Sequence, residues 1–78
     1  MNNELSKNWM IYGAYGYTGE LVVQEAIAQQ RQPVLAGRNE AKIKAVAEKY
    51  NLPYKAFSVE DAGDFLQDTD ILINCAGP

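Results

Sequence analysis

The sequence predicts an α/β fold with a parallel, Rossmann-like sheet. Two observations support this prediction: strand-like and helix-like segments alternate along the chain, and a glycine-rich turn joins the first strand to the first helix. The alternation β-α-β-α-β-α-β at this spacing favours parallel strands joined by right-handed crossovers. We expect the strand order 3-2-1-4, which is the first half of a dinucleotide-binding fold.

The first strand and the first helix flank the glycine turn, residues 13–19. The continuous apolar run 9–12 is typical of a parallel strand that is covered on both faces. A helix is predicted over about 17–30, because Pro33 disfavours helical geometry in the residue before it. Arg31 is expected on the solvent side. The apolar residues at helical spacing, expected to face the sheet, are Val22, Val23, Ala26 and Ile27.

The second half of the chain continues the alternation. A second strand is predicted over 34–36, and Asn39 is a candidate N-cap for the helix that follows. Residues 51–53 end that helix, and the mixed polarity of 54–57 suits a third strand at an edge of the sheet. The second helix should bury Ile43, Val46, Ala47 and Tyr50.

The last crossover begins at Ser58, which has capping-box spacing with Asp61. A short third helix should follow, a fourth strand is predicted over 71–73, and 74–78 form the loop beyond it. The residues of this helix that should face inward are Val59, Ala62, Phe65 and Leu66.

The three glycines of the turn have separate expected roles. Gly13 should leave the strand with a backbone geometry that a Cβ opposes, and Gly16 should let a pyrophosphate approach. Gly19 should let the helix lie close to the sheet. Backbone N–H groups at the start of the helix then point outward, where the helix dipole favours an anion. The alternative is a glycine-rich turn without a ligand.

The tip of the second strand indicates which dinucleotide would bind. An NAD site usually has a carboxylate about 20 residues after the glycines. This position carries Gly37, Arg38 and Asn39 instead, and Gly37 is expected to leave space for the cofactor. The guanidinium of Arg38 suits a 2′-phosphate, so NADP(H) is favoured, with Asn39 and Lys42 as possible helpers. The alternative is that Arg38 is an ordinary surface arginine.

Other residues near the predicted site allow two interpretations each. Tyr15 either forms a wall of the cofactor site or packs over the sheet edge. Tyr17 should act through its backbone N–H, and Thr18 either donates its hydroxyl to a phosphate or caps the helix. Cys75 lacks an identifiable base, so we interpret it as a small apolar residue of the cofactor loop.

Composition excludes several classes of function. The net charge is −3, and the basic residues are scattered, which argues against nucleic-acid and anionic-membrane partners. The chain has no histidine, so it has no histidine base or histidine metal site. The single cysteine fits a cytoplasmic protein. Residues 1–8 are expected to form a flexible arm before a partial domain over 9–78.

Three motifs together resemble the N-terminal domain of saccharopine dehydrogenase-like oxidoreductases, including the trans-acting enoyl reductase branch. They are the glycine turn ending in Tyr-Thr-Gly, the Ala-Gly-Arg-Asn tip of the second strand, and the Asn-Cys-Ala-Gly-Pro loop after the fourth strand. The resemblance implies that the glycine turn holds the pyrophosphate of NADP(H) and that Arg38 and Asn39 hold the adenosine phosphate. It also implies that Cys75, Ala76 and Gly77 run beside the nicotinamide ribose.

The resemblance further implies that the chain is a fragment, inactive alone, of an enzyme with a separate small-molecule substrate domain. That enzyme would transfer a hydride to a carbonyl, imine or enoyl group. Two alternatives stay open: a non-catalytic NADP sensor related to atypical short-chain dehydrogenases, and an interaction module that binds no nucleotide. We also expect self-association through the exposed edge of the strand at 71–73.

Overall fold

A computed structural model describes residues 8–75, and it describes only the backbone of Val59 and Phe65. Four parallel strands form one sheet in the order 3-2-1-4, which confirms the predicted fold class and strand order. The elements are β1 (Trp9–Tyr12), α1 (Tyr17–Ala28), β2 (Val34–Gly37), α2 (Glu40–Tyr50), β3 (Tyr54–Ala56), a 3₁₀ turn (Val59–Asp61), α3 (Ala62–Phe65) and β4 (Ile71–Asn74).

Strand β1 lies at the centre of the sheet. Ile11 is in register with Leu35 of β2 on one side and with Ile73 of β4 on the other. Strand β3 pairs with β2 and forms an edge, as its mixed polarity predicts. Because the strands are parallel, the glycine turn, the tip of β2 and Cys75 all follow strand ends at the same edge of the sheet.

The two faces of the sheet carry separate apolar clusters. Helices α1 and α2 cover one face and α3 the other. The first cluster consists of Ile11, Ala14, Val23, Ala26, Leu35, Ile43, Val46 and Ala47. The second is smaller and consists of Met10, Tyr12, Ala36 and Phe57, with Val34, Ala62 and Leu66 packed against it.

Helix α1 ends earlier than predicted, and proline is not the cause. Gln30 has a left-handed backbone (φ 64°), and its N–H donates to the carbonyl of Ile27 at 2.9 Å. The N–H of Arg31 donates to the carbonyl of Ala26 at 2.9 Å. These two bonds form a Schellman motif, which ends the helix at Ala28 and satisfies its last carbonyl groups.

The buried stripe of α1 is also narrower than predicted. Gly19, Val23 and Ala26 are buried, whereas Ile27 is 38% exposed. Each step along a helix turns the side chain by about 100°, so the residue after Ala26 leaves the covered face. The expectation that Arg31 lies in solvent is wrong, because its half-buried guanidinium lies 4.5 Å from the centre of the Trp9 ring.

Helix α2 confirms its prediction closely. The side-chain oxygen of Asn39 accepts a hydrogen bond from the N–H of Lys42 at 3.1 Å, so Asn39 is the N-cap. At the other end Asn51 is left-handed (φ 56°), and the N–H of Leu52 donates to the carbonyl of Ala47 at 2.9 Å. The four residues of the predicted stripe are buried or half-buried.

The third crossover lacks the predicted capping box. The Ser58 hydroxyl donates to the carboxylate of Asp61 at 3.1 Å, and the N–H of Asp61 donates to the main-chain carbonyl of Ser58. Those bonds form a 3₁₀ turn, and α3 after it has four residues. Ala62 and Leu66 contact the second cluster as expected, while the side chains of Val59 and Phe65 lie outside the described set.

Residues 1–7 lie outside the described part of the chain. Asn8, the first described residue, donates from its N–H to the carboxylate of Asp70 at 2.8 Å, and its side-chain amide donates to the carbonyl of Asp68. Of the helices between residues 8 and 75, none is long and apolar enough to cross a membrane.

Candidate nucleotide-binding site

The glycine turn leaves β1 through a left-handed residue, Gly13 (φ 80°), which confirms the expected need for glycine there. The N–H groups of Gly13 and Ala14 both approach the carbonyl of Ala36, at 2.8 and 3.4 Å. The start of the turn is therefore fixed to strand β2 by main-chain hydrogen bonds.

Gly19 allows α1 to lie against that turn. A Cβ placed on Gly19 would lie 2.8 Å from the Cα of Ala14 and even closer to the carbonyl oxygen of Gly13. Real Cβ atoms do not approach backbone so closely, so any other residue would push the helix away. The predicted close packing of the helix is confirmed at this glycine.

Gly16 differs, because the fold itself does not require a glycine at this position. Its backbone is extended (φ −77°, ψ 167°), and a Cβ would lie 3.7 Å from the nearest atom, the carbonyl oxygen of Gly13. That distance is an ordinary van der Waals contact. The expected approach of a pyrophosphate to Gly16 stays a prediction.

The start of α1 presents N–H groups that no helix carbonyl can accept. Gly16 is the N-cap, and as a glycine it has no side chain that could accept a capping bond. The first helical hydrogen bond runs from the N–H of Glu20 to the carbonyl of Gly16, at 2.8 Å. The N–H groups of Tyr17, Thr18 and Gly19 precede that bond. Tyr17, 83% exposed, and Thr18 lie outside the core, whereas Gly19 is buried, so an anion can approach this end of the helix at Tyr17 and Thr18.

Tyr15 packs over the sheet edge, which was one of its two interpretations. A Cβ on Gly37 would lie 2.5 Å from Cε2 of the Tyr15 ring, so glycine at this position accommodates the ring. Gly37 was expected to leave space for the cofactor. At the position where a Cβ would lie, that expectation is wrong, because the Tyr15 ring fills the space. The ammonium of Lys42 lies 5.8 Å from the centre of the same ring.

Arg38 is exposed just after β2, beside the N-cap Asn39. Burial raises the pKa of Tyr12, and the charge of Arg38 opposes part of that rise. A backbone N–H and the Ser58 hydroxyl hold the pKa of Glu60 below its ordinary value, and Arg38 lowers it further. Arg38 therefore lies within electrostatic range of Glu60, an exposed carboxylate of the third crossover.

Cys75 lies at the same edge of the sheet. Its N–H donates to the carbonyl of Tyr12 at 2.8 Å, which places it next to the start of the glycine turn. The thiol is free and half-buried, and the side chain packs against the first cluster. Ala76 and Gly77, which were predicted to run beside the nicotinamide ribose, lie outside the described residues.

A polar network that the sequence analysis did not predict joins α1 to α2. The carboxylate of Glu20 accepts hydrogen bonds from the Lys49 ammonium at 2.5 Å and from the Tyr50 hydroxyl at 2.7 Å. Gln24 donates to the same hydroxyl at 2.9 Å. No sequence pattern indicated it, because the partners of Glu20 lie 29 and 30 residues away.

Residues 8–75 contain no candidate metal site, since no three potential ligands from histidine, cysteine, aspartate and glutamate lie together there.

Comparison with known families gave a match to the family described as shikimate / quinate 5-dehydrogenase, which covers residues 1–78. Comparison with the curated proteins gave no match. The matched family has an NADP-binding, oxidoreductase-type domain, in agreement with the sheet and the turn described above. The chain belongs to the shikimate / quinate 5-dehydrogenase family.

Proposed function

We propose that this chain is the NADP(H)-binding part of an oxidoreductase that exchanges a hydride with a carbonyl, imine or enoyl substrate. One observation carries the proposal. At a single edge of the sheet, the N–H groups at the start of α1 that no helix carbonyl accepts include those of the exposed residues Tyr17 and Thr18, and the neighbouring strand tip carries Arg38 and no carboxylate. An anionic nucleotide with an additional phosphate on its ribose matches both features.

The residues present fit such a cofactor. The N–H groups at the start of α1, at the exposed residues Tyr17 and Thr18, suit the pyrophosphate. Gly16 has no side chain, although the fold has room for a Cβ there. The cofactor supplies the hydride, and the chain supplies position and field. The residues proposed to hold it are Gly13, Tyr15, Gly16, Tyr17, Thr18 and Gly19 at the pyrophosphate, Arg38 and Asn39 at the adenosine phosphate, and Cys75, Ala76 and Gly77 at the nicotinamide ribose.

A second cation lies near the adenosine end of the site. Lys42 lies in the first turn of α2 beside the tip of β2, and no carboxylate of residues 8–75 forms an ion pair with it. We propose that Lys42 joins Arg38 and Asn39 at the phosphate. The side-chain oxygen of Asn39 caps α2, so its amide nitrogen would be the donor to the phosphate.

The substrate has two candidate classes. The name of the matched family indicates a hydroxy acid of the shikimate or quinate type, which is oxidised at an alcohol carbon. The narrower resemblance to saccharopine dehydrogenase-like reductases favours an imine or an enoyl group instead. Both require hydride transfer with NADP(H), and turnover by the whole protein would separate an enzyme from an NADP sensor. We keep the cytoplasm as the proposed compartment, because Cys75 is a free thiol.

Titration of NADPH and NADH against the chain and an Arg38→Ala variant tests the cofactor assignment. We expect the chain to bind NADPH more tightly than NADH. In the variant the ratio of the two affinities should fall about tenfold, which is the usual scale of one charge-assisted contact to a phosphate. Lys44→Ala removes an exposed cation of α2 and should change nothing. Equal affinity of the unmodified chain for the two nucleotides would contradict the proposal.

We also propose that the chain self-associates through β4. This strand pairs with β1 along one edge, and no strand among residues 8–75 pairs with its other edge. Leu72 on that strand is 45% exposed. Free edges with exposed apolar side chains favour pairing between copies.

A further inference from the structure

We propose that Tyr15 is a positioning residue for nucleotide selectivity, which rests on the NADP(H) assignment made above. The ring of Tyr15 is packed between the glycine turn, from which it projects, and the tip of β2. It therefore connects the part of the site that would hold the pyrophosphate to the part that would hold the 2′-phosphate. Nothing in the sequence pattern assigns it this role.

Three contacts make this connection. The N–H groups of Gly13 and Ala14 approach the carbonyl of Ala36, which is one residue before the tip of β2. The Tyr15 ring then lies against Gly37, where a Cβ would be 2.5 Å from Cε2 and 3.1 Å from Cδ2. Tyr15 is half-buried and packs against the first apolar cluster, which restricts the movement of its ring.

The ring also places a cation at the adenosine end of the site. The Lys42 ammonium lies 5.8 Å from the ring centre, where the negative face of the ring attracts it. The N–H of Lys42 is fixed by the Asn39 cap, so both its main chain and its charge are held near the strand tip. Removal of the ring would free the ammonium and let the main chain of Gly37 and Arg38 move towards the turn.

The consequence is specific for a nucleotide that has a 2′-phosphate. A ligand without that group does not use the cations at the tip of β2, so loss of the ring should weaken its binding less. None of these contacts involves the phenolic hydroxyl. A phenylalanine at position 15 should therefore preserve the effect, since it keeps the ring and its face.

The test compares the binding of adenosine 2′,5′-bisphosphate and of 5′-AMP to the full chain and to three variants, by calorimetric titration. We expect Tyr15→Ala to lose about tenfold more affinity for the bisphosphate than for 5′-AMP, and Tyr15→Phe to behave as the unmodified chain. Gly37→Ala should show the same selective loss, because its methyl group would displace the Tyr15 ring. Circular dichroism identifies any variant that does not fold.

Different failures identify different errors. If Tyr15→Ala and Gly37→Ala discriminate between the two ligands as well as the unmodified chain does, the positioning role is wrong and the cofactor assignment stands. An equal loss for both ligands means that Tyr15 is only structural, which also overturns the proposal. If the unmodified chain binds neither ligand, or both equally, the NADP(H) assignment itself fails. Should Tyr15→Ala unfold, Gly37→Ala and Tyr15→Phe still decide the question.

Discussion

The two faces of the sheet are covered very differently. One face lies under α1 and α2, helices of 12 and 11 residues, and its strand residues Ile11 and Leu35 are completely buried. The other face is covered by a 3₁₀ turn of three residues and by α3 with four. Leu72 on that side is 45% exposed, and a cleft of about 60 Å³ opens between β1, β4 and α3.

This difference shows which part of the chain positions the candidate site. The glycine turn and the N-terminal turns of α1 and α2 all belong to the well-covered side, where main-chain atoms lie in close contact. Long amphipathic helices stabilise a sheet by burying apolar area, at about 25 cal/mol per Å². The α3 side buries less and should tolerate substitution better. Matched substitutions on the two sides test this contrast.

The largest expected effect is at Gly19, compared with Gly63 in α3. A Cβ on Gly19 overlaps the main chain of residues 13 and 14, whereas a Cβ on Gly63 meets no atom within 4 Å. We expect Gly19→Ala to destabilise the fold by about 3 kcal/mol, at the upper end of overpacking. Gly63→Ala should instead stabilise it by about 0.5–1 kcal/mol, because alanine favours helix. Urea unfolding measures both.

Nearly equal unfolding midpoints for the two variants would show that α1 can shift away from the turn at little cost. The contrast between the faces would then lie in helix length alone. Nucleotide titration of Gly19→Ala under folding conditions would add a second readout, since a displaced helix also displaces its open N–H groups.

A second pair compares two leucines. Leu35 is fully buried under α1 and α2, and Leu72 is 45% exposed on the other side. Leu35→Ala should cost about 2–5 kcal/mol in the free energy of unfolding, and Leu72→Ala less than about 1 kcal/mol. Leu72→Ala should instead weaken self-association, as measured by sedimentation at increasing concentration. A chain that stays monomeric at high concentration would contradict the role proposed for β4.

Local patterns account for the part of the fold that the sequence predicted. Strand order, the core stripe of α2 and the Asn39 cap follow from local patterns, namely alternation, helical periodicity and a capping residue. The end of α1 did not follow, because a glutamine took the left-handed position that usually belongs to glycine. Ser58 was also misread, since its hydroxyl donates to a carboxylate instead of accepting from a main-chain N–H.

Within the candidate site, the sequence predicted the turn and the strand tip but not the contacts between them. Gly37 was expected to make room for a ligand, yet its space is taken by Tyr15, 22 positions earlier in the chain. Glu60 follows Arg38 by 22 positions and lies within electrostatic range of it. Its position depends on the third crossover, which begins with a 3₁₀ turn and not with the predicted capping box. Such contacts depend on how crossovers pack, and no local spacing encodes them.

The smallest expected effect concerns the tie between α1 and α2. Hydrogen bonds from Lys49 and then Tyr50 lower the pKa of Glu20 from 4.5, so the folded state binds this proton less tightly than the unfolded chain. The stabilisation is present above pH 4.5 and is lost as the pH falls through the lowered value. Glu20→Gln should therefore lower the melting temperature slightly at pH 7 and by less at pH 3. Because Glu20 and Lys49 lie at the surface, 0.5 M salt should reduce the difference at pH 7 as well. A difference that persists unchanged at pH 3 would mean that shape, and not charge, joins the two helices.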